Sequence, residues 1–250
     1  MKQLILISFI LFYSNAHSFV VLIDPGHGGS ELGAVSYIKK GKRKYKIYEK
    51  DLALRLAKKV KKILDKRYTV YLTRSHDRKV SLEDRASMAD TVKADVFISI
   101  HFNASRSKNS YGFETYYLDN HKDKAIKKVE KIENKNLEGE EMVVNEILID
   151  LAISKTVSSS KKLANLIHIN ASYNIKNKFK VKDRGVKAGL FYVLALSKRP
   201  GVLIEGGFIS NPNEIQKIKS DNYLNYYARG IAIGIRRYQE SLPKKKLPLF

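Results

Sequence analysis

The 250-residue chain contains no cysteine. A disulfide, a thiolate nucleophile and a lipid carried on an N-terminal cysteine are all excluded by that absence. Long apolar runs are missing too: beyond residue 18 nothing approaches the roughly 20 apolar residues of a membrane-spanning helix. There is no internal repeat, no Pro- or Ser-rich linker and no recognised nucleic-acid module. Acidic residues are scarce, 25 Asp and Glu against 47 Lys and Arg, for a formal net charge of +22. Such a surface concentrates on polyanions, whether nucleic acid, acidic lipid or an anionic wall polymer. Lysine scattered along the whole chain is equally what a bias of the source genome would leave.

The N-terminus accounts for one apolar stretch. Lys2 supplies a positive region, Leu4 to Tyr13 an apolar one, and "SNAHS" a small-residue cleavage site. Residues 1–18 therefore read as a secretory signal peptide, cut after Ala16 or Ser18, either of which leaves the strand beginning at Phe19 intact. Export argues against nucleic acid as a partner. The 44% hydrophobic content is enough to fill the core of one domain.

Strand and helix signals alternate through the first half, the pattern of an α/β domain with a largely buried sheet. "FVVLID" (19–24), "YTVYLTR" (68–74), "DVFISIHF" (95–102) and "YGFETYYL" (111–118) read as strands. A helix between the first two carries Leu52, Leu56, Val60, Ile63 and Leu64 on one stripe, and a second starts at Ser81 as N-cap with Asp84 three residues on. "GLFYVLAL" and "GVLIEGGF" read as strand-like, followed by a closing helix over 223–239. Residues 119–160 break this rhythm. They are dense in Lys and Glu and predict two helices, 122–134 and 142–153. The expected fold is a single α/β domain over 19–242, a twisted mostly parallel or mixed sheet flanked by helices, with 119–160 as a helical insertion and 243–250 as a basic tail.

In open α/β sheets functional groups gather at the carboxyl ends of strands. His27 follows the first strand within "DPGHGG", His101 ends "DVFISI", and Glu205 ends "GVLI". Glu49 stands at the start of the first long helix, where the helix dipole alone would favour a carboxylate. Two imidazoles and one carboxylate make a His2Glu set, one of the combinations zinc uses when a position stays open for water. Spacing alone leaves open whether they meet. Asp24 is placed to orient the turn or a histidine, and Gly26, Gly28 and Gly29 let backbone approach a metal or substrate closely.

Taken together, "LIDPGHGG", "YEKDLALRLA", "SLEDRASMAD", "ADVFISIHFNAS", "YGFETYYL" and "VLIEGGFISNPNE" resemble the zinc-dependent N-acetylmuramoyl-L-alanine amidases of the third amidase family. The resemblance implies one zinc ion on His27, Glu49 and His101, with Glu205 catalytic, and peptidoglycan as substrate. A zinc hydrolase acting on another wall bond, such as a carboxypeptidase or deacetylase, and a non-catalytic wall binder are the alternatives. Two features depart from the family pattern. Leu32 stands in "GGSELGA" where proline is usual, and the loop "YIKKGKRKYKIY" (37–48) is long and basic.

Residues 119–160 are similar to the blocking insertion of the Gram-negative cell-division members of that family. On a helical wheel Ala125, Ile126, Val129 and Ile132 share a face, Glu133 falls about 50° from its centre and Glu130 about 110° away. Glu133, in an "EN" pair like that of the family's blocking helix, is thus the expected occupant of zinc's open position. In the second helix Val143, Val144, Ile147, Leu148 and Leu151 form an apolar stripe that packs on the domain or awaits an activator. The resemblance further implies a degenerate LytM-type activator, a periplasmic location and a role in daughter-cell separation. Secretion to a cell wall is the alternative location, and a monomer is expected.

Overall fold

The computed structural model describes residues 18–134 and 140–243, without the side chains of Lys40 and 140–148. The expected signal peptide, apart from Ser18, and the tail beyond Pro243 lie outside the described residues. In chain order the elements are β1 Val20–Pro25, β2 Val35–Lys40, β3 Arg43–Tyr48, α1 Glu49–Leu64, β4 Thr69–Leu72, α2 Leu82–Thr91, β5 Val96–Asn103 and β6 Phe113–Leu118. There follow α3 Lys124–Glu133, α4 Glu140–Phe179, β7 Asp183–Gly189, α5 Tyr192–Ser197, β8 Gly201–Phe208, α6 Glu214–Ile218 and α7 Asp221–Glu240.

Six strands make one sheet in the order β4-β1-β5-β8-β6-β7. β4, β1, β5 and β8 run parallel, β6 is antiparallel to β8, and β7 is parallel to β6. The central strands β1, β5 and β8 are buried along their whole length, which is why they read as near-continuous apolar runs. Alternate residues feed opposite faces. Ile23, Ile98 and Ile204 pack with Leu56 and Val60 of α1, Leu163 and Ile167 of α4 and Ile231 of α7. Leu22, Phe97 and Leu203 pack on the other side with Ala89 of α2 and Leu194 of α5.

This is the expected mixed α/β domain, with four local differences. "GLFYVLAL" is not a strand: β7 ends at Gly189 and Tyr192–Ser197 is a short helix, a short apolar run being compatible with either. The basic segment before Glu49 is not a loop but the antiparallel hairpin of β2 and β3. The second insertion helix does not stop near 153 and continues as α4 to Phe179. Its Ile149 and Ala152 face the core whereas Leu151 is exposed, and the rest of the expected stripe, 143–148, lies outside the described side chains. Among the described residues no helix is long and apolar enough to cross a membrane.

Candidate metal centre and cleft

The turn after β1 carries His27 in a left-handed conformation, φ 57°. A non-glycine residue there is strained and has to be held by its surroundings. Two buried arginines hold it. Arg74 donates to the carbonyls of Pro25 (2.9 Å), Gly26 (2.7 Å) and Lys50 (2.8 Å). Arg85 donates to the carbonyls of His27 (3.0 Å), Pro25 (3.1 Å) and Val80 (3.2 Å), and pairs with Asp24. Asp24 also accepts from Thr73 Oγ1 (2.6 Å) and Ser99 Oγ (2.9 Å). Burial disfavours its charge, yet Arg85 and the Thr73 hydroxyl hold its carboxyl below the usual range. Asp24 therefore orients the turn through Arg85 and contacts neither imidazole.

Glu49 opens α1 and is fixed at both oxygens. Oε2 accepts from the Ala34 amide (2.8 Å) and Oε1 from the Phe102 amide (3.0 Å). Oε1 also stands 3.1 Å from His27 Nε2 and 3.1 Å from His101 Nδ1. The close fit demands glycine nearby. A Cβ on Gly26 would run into the His101 ring, and one on Gly33, at φ +64°, would come within 2.6 Å of Glu49 Oε2 and of His27.

A fourth donor comes from the insertion. Glu133, the last residue of α3, places Oε2 2.9 Å from His101 Nδ1 and 3.7 Å from His27 Nε2. His27, Glu49, His101 and Glu133 each offer one ligand atom, all within 4.8 Å of one another. Four ligands at about 2.0–2.2 Å from a tetrahedral centre stand roughly 3.3–3.6 Å apart, so the separations seen here fit one small cation. The nitrogens add to that fit: His27 Nε2 is buried without a well-directed hydrogen bond. Without a cation, burial would lower both histidines, but Glu49 raises His27 and Glu133 raises His101 well above the ordinary value. Burial opposes ionisation of Glu49 as well, and the imidazoles nonetheless hold its carboxyl far below the usual range.

Glu205 lies on β8 directly opposite His101 on β5 and Glu114 on β6. It is 1% exposed, and its Oε2 has no hydrogen-bond partner. Burial first, then the charge of Glu133, push its carboxyl well above the ordinary value. A carboxyl so placed is suited to general acid–base work. Glu114 is buried without that freedom, since it accepts from Asn103 Nδ2 (2.7 Å), Arg184 Nε (2.9 Å) and Lys187 Nζ (2.5 Å).

The donors open into a cleft of about 510 Å³ that Gly26, His27, His101, Ile132, Glu133 and Asn134 help to line. α3 is clamped over it. Asn134 donates to Leu190 O (2.6 Å) and accepts from the Tyr192 amide (3.0 Å). Glu130 accepts from the Leu190 amide (2.5 Å) and meets His121 Nε2 (2.5 Å). The helical wheel set Glu130 away from the inner face and Ile132 on it. The structure buries Glu130 and leaves Ile132 43% exposed. All five site residues expected from the sequence thus lie at or beside this cleft. The supporting arginines were not anticipated, although Arg85 shares α2's inner face with Ala86 and Ala89.

Comparison with known proteins gives the same direction. Residues 21–237 match the N-acetylmuramoyl-L-alanine amidase family. The chain is 34% identical over 238 residues to an endolysin of Bacillus phage SPP1, covering 92% of this chain and 72% of that protein. It is 30% identical over 229 residues to the N-acetylmuramoyl-L-alanine amidase AmiC of Escherichia coli, covering 88% of this chain and 52% of the relative, so it spans about half of that protein's length. The crystal structure of an N-acetylmuramoyl-L-alanine amidase from Clostridium difficile 630 superposes with a TM-score of 0.66 at 34% identity, over 90% of this chain and 98% of the other. With fold, donor set and most of its length in agreement, the chain belongs to the N-acetylmuramoyl-L-alanine amidase family of enzymes.

Proposed function

We propose that the chain hydrolyses the amide joining N-acetylmuramic acid to the L-alanine of the peptidoglycan stem peptide, with zinc held by His27, Glu49 and His101. The observation that carries this reading is the convergence of those three donors beside a buried carboxyl with an unpaired oxygen. Zinc, when bound, supplies polarisation of the scissile carbonyl and activation of water. Glu205 takes the water's proton at Oε2 and passes it to the departing amine of L-alanine, so a carboxyl leaves on the sugar's lactyl group and a free amine on the peptide. Burial keeps bulk water from Glu205, and the anchored oxygens of Glu49 keep both imidazoles aimed at one point.

The resting chain is read as self-blocked. Glu133 occupies the remaining donor position, and substrate reaches the centre when that carboxylate is gone, either by substitution or because α3 leaves its clamp. A partner that displaces α3 is then required, and the family resemblance points to a degenerate LytM-type protein acting in the periplasm during daughter-cell separation.

The test is mass spectrometry of products from purified sacculi, with the Glu133→Ala variant used to open the site. Free stem peptides beginning at L-alanine are expected, abolished by chelator and restored by zinc. Glu205→Gln is expected to retain zinc and lose turnover. Release of D-alanine or acetate instead would overturn the bond assignment.

A further inference from the structure

The chemistry proposed above makes no use of the β2–β3 hairpin, although the hairpin grows from the rim of the cleft. Gly33 and Ala34 line the cleft and lead into β2, and Glu49 follows β3 directly. Its register sets Lys39 opposite Lys44 and Lys40 opposite Arg43, and no acidic residue lies between Glu31 and Glu49. Like charges directly opposite one another destabilise an antiparallel pair. Of the two pairs, Lys39–Lys44 lies on the outer face of the hairpin, and among the described residues Lys39, Lys44 and Lys46 enter no salt bridge. A cost of that kind is offset when an external anion lies across the strands.

The two faces of the hairpin differ. Ile38 and Ile47 turn toward the core. Val35, Tyr37 and Lys39, with Lys44 and Lys46 on the neighbouring strand, share the other face and are exposed. On it Lys44 Nζ stands 4.2 Å over the ring of Tyr37, which is 50% exposed. The face therefore presents an aromatic and apolar platform ringed by three cations, with same-strand lysines about 7 Å apart. A saccharide with carboxylates at intervals matches it: the sugar's apolar face lies on Tyr37 and Val35, and the carboxylates meet the lysines.

We infer that this face of the hairpin docks the uncleaved glycan–peptide strand and feeds it to the cleft. The inference rests on the peptidoglycan reading above, and the experiment separates the two. Binding to purified sacculi is measured by co-sedimentation at about 0.1 M salt, where contact charges are still felt, using the full chain with Glu205→Gln so that the strand survives. In that background Lys39→Gln, Lys44→Gln and Lys46→Gln together are expected to weaken binding about tenfold, the combined effect of three exposed ion pairs. Tyr37→Ser is expected to weaken it further. The control removes three exposed lysines on and just after α1, Lys58, Lys62 and Lys66, and binding is expected to stay within about twofold. In a Glu133→Ala background with Glu205 intact, the hairpin variant is expected to cleave a short soluble muramoyl peptide at the unsubstituted rate.

Equal losses in both triple variants, or no loss in either, overturn the inference. So does a loss confined to phosphatidylglycerol vesicles, which assigns the face to a membrane. If the Glu133→Ala chain with an intact hairpin fails to cleave the soluble peptide, the amidase reading itself falls, independently of where the hairpin binds.

Discussion

Replacing Asn134 with alanine tests the clamp without touching the donors. It removes the bonds to Leu190 O (2.6 Å) and from the Tyr192 amide (3.0 Å) while leaving Glu133 in place. Each such bond contributes about 1 kcal/mol net, so docked α3 loses about 2 kcal/mol relative to the released helix. That is roughly thirtyfold in the docking equilibrium. Two readouts are needed: dye release from labelled sacculi with no partner protein, and amide hydrogen exchange over α3. Protection of the α3 amides is expected to fall by about thirtyfold, and activity to rise by up to the same factor, since only released molecules turn over. A double variant with Glu205→Gln is expected to stay inactive. If exchange over α3 accelerates and activity does not, Glu133 is not the block. If exchange is unchanged, Asn134 is not the clamp.

Asp24→Asn leaves Arg85 buried and unpaired. It is expected to cost about 3–5 kcal/mol of stability by urea denaturation, and a loss under about 1 kcal/mol would refute the role given to this pair. Glu214 accepts from the amides of Gly112 and Phe208, yet burial pushes its carboxyl up to about 7 from 4.5. The native state thus keeps a proton that the unfolded chain releases between those values. Glu214's contribution to stability is fully present below about 4.5 and is lost as pH rises to about 7, by on the order of 3 kcal/mol. Glu214→Gln is expected to remove that slope, and an identical pH profile in the variant would refute it.

The sheet was legible from its apolar runs, and the same rule marked two of the site residues, while the donor set as a whole was read from the family resemblance. Fully buried parallel strands have to be apolar, so a histidine or glutamate at the end of such a run stands out, as His101 and Glu205 do. Glu133 was legible from the helical wheel taken together with the "EN" pair that resembles the family's blocking helix. Its neighbour Glu130 was not, because its partner is the amide of Leu190, sixty residues away. The hairpin was read as a loop because lysines fill the positions that a strand pattern reserves for apolar residues, with only Ile38 and Ile47 left to mark its inner face. In α4, Leu163, Ile167, Ala171 and Ile175 recur every fourth residue and are all buried. That stripe was available in the sequence, but the polar run "SSSKK" before it reads as a break.

The continuity of α4 bears on how the proposed block could be acquired or lost. Forty residues at 1.5 Å each make a rod about 60 Å long. Near its start it meets the cluster that includes Ile126 of α3, further on it joins the opposite cluster, and between them Ser160 takes the Gly201 amide where β8 begins. Over Glu140–Phe179 the helix runs without interruption. Excising 119–160 would also remove Ile149, Ala152 and Ser160, and with them part of the frame that aligns Glu205. On the proposed reading, a permanently released enzyme is therefore reached by single-residue changes on α3. A transplant of the block into a relative has to carry the whole rod and the sheet edge on which it rests.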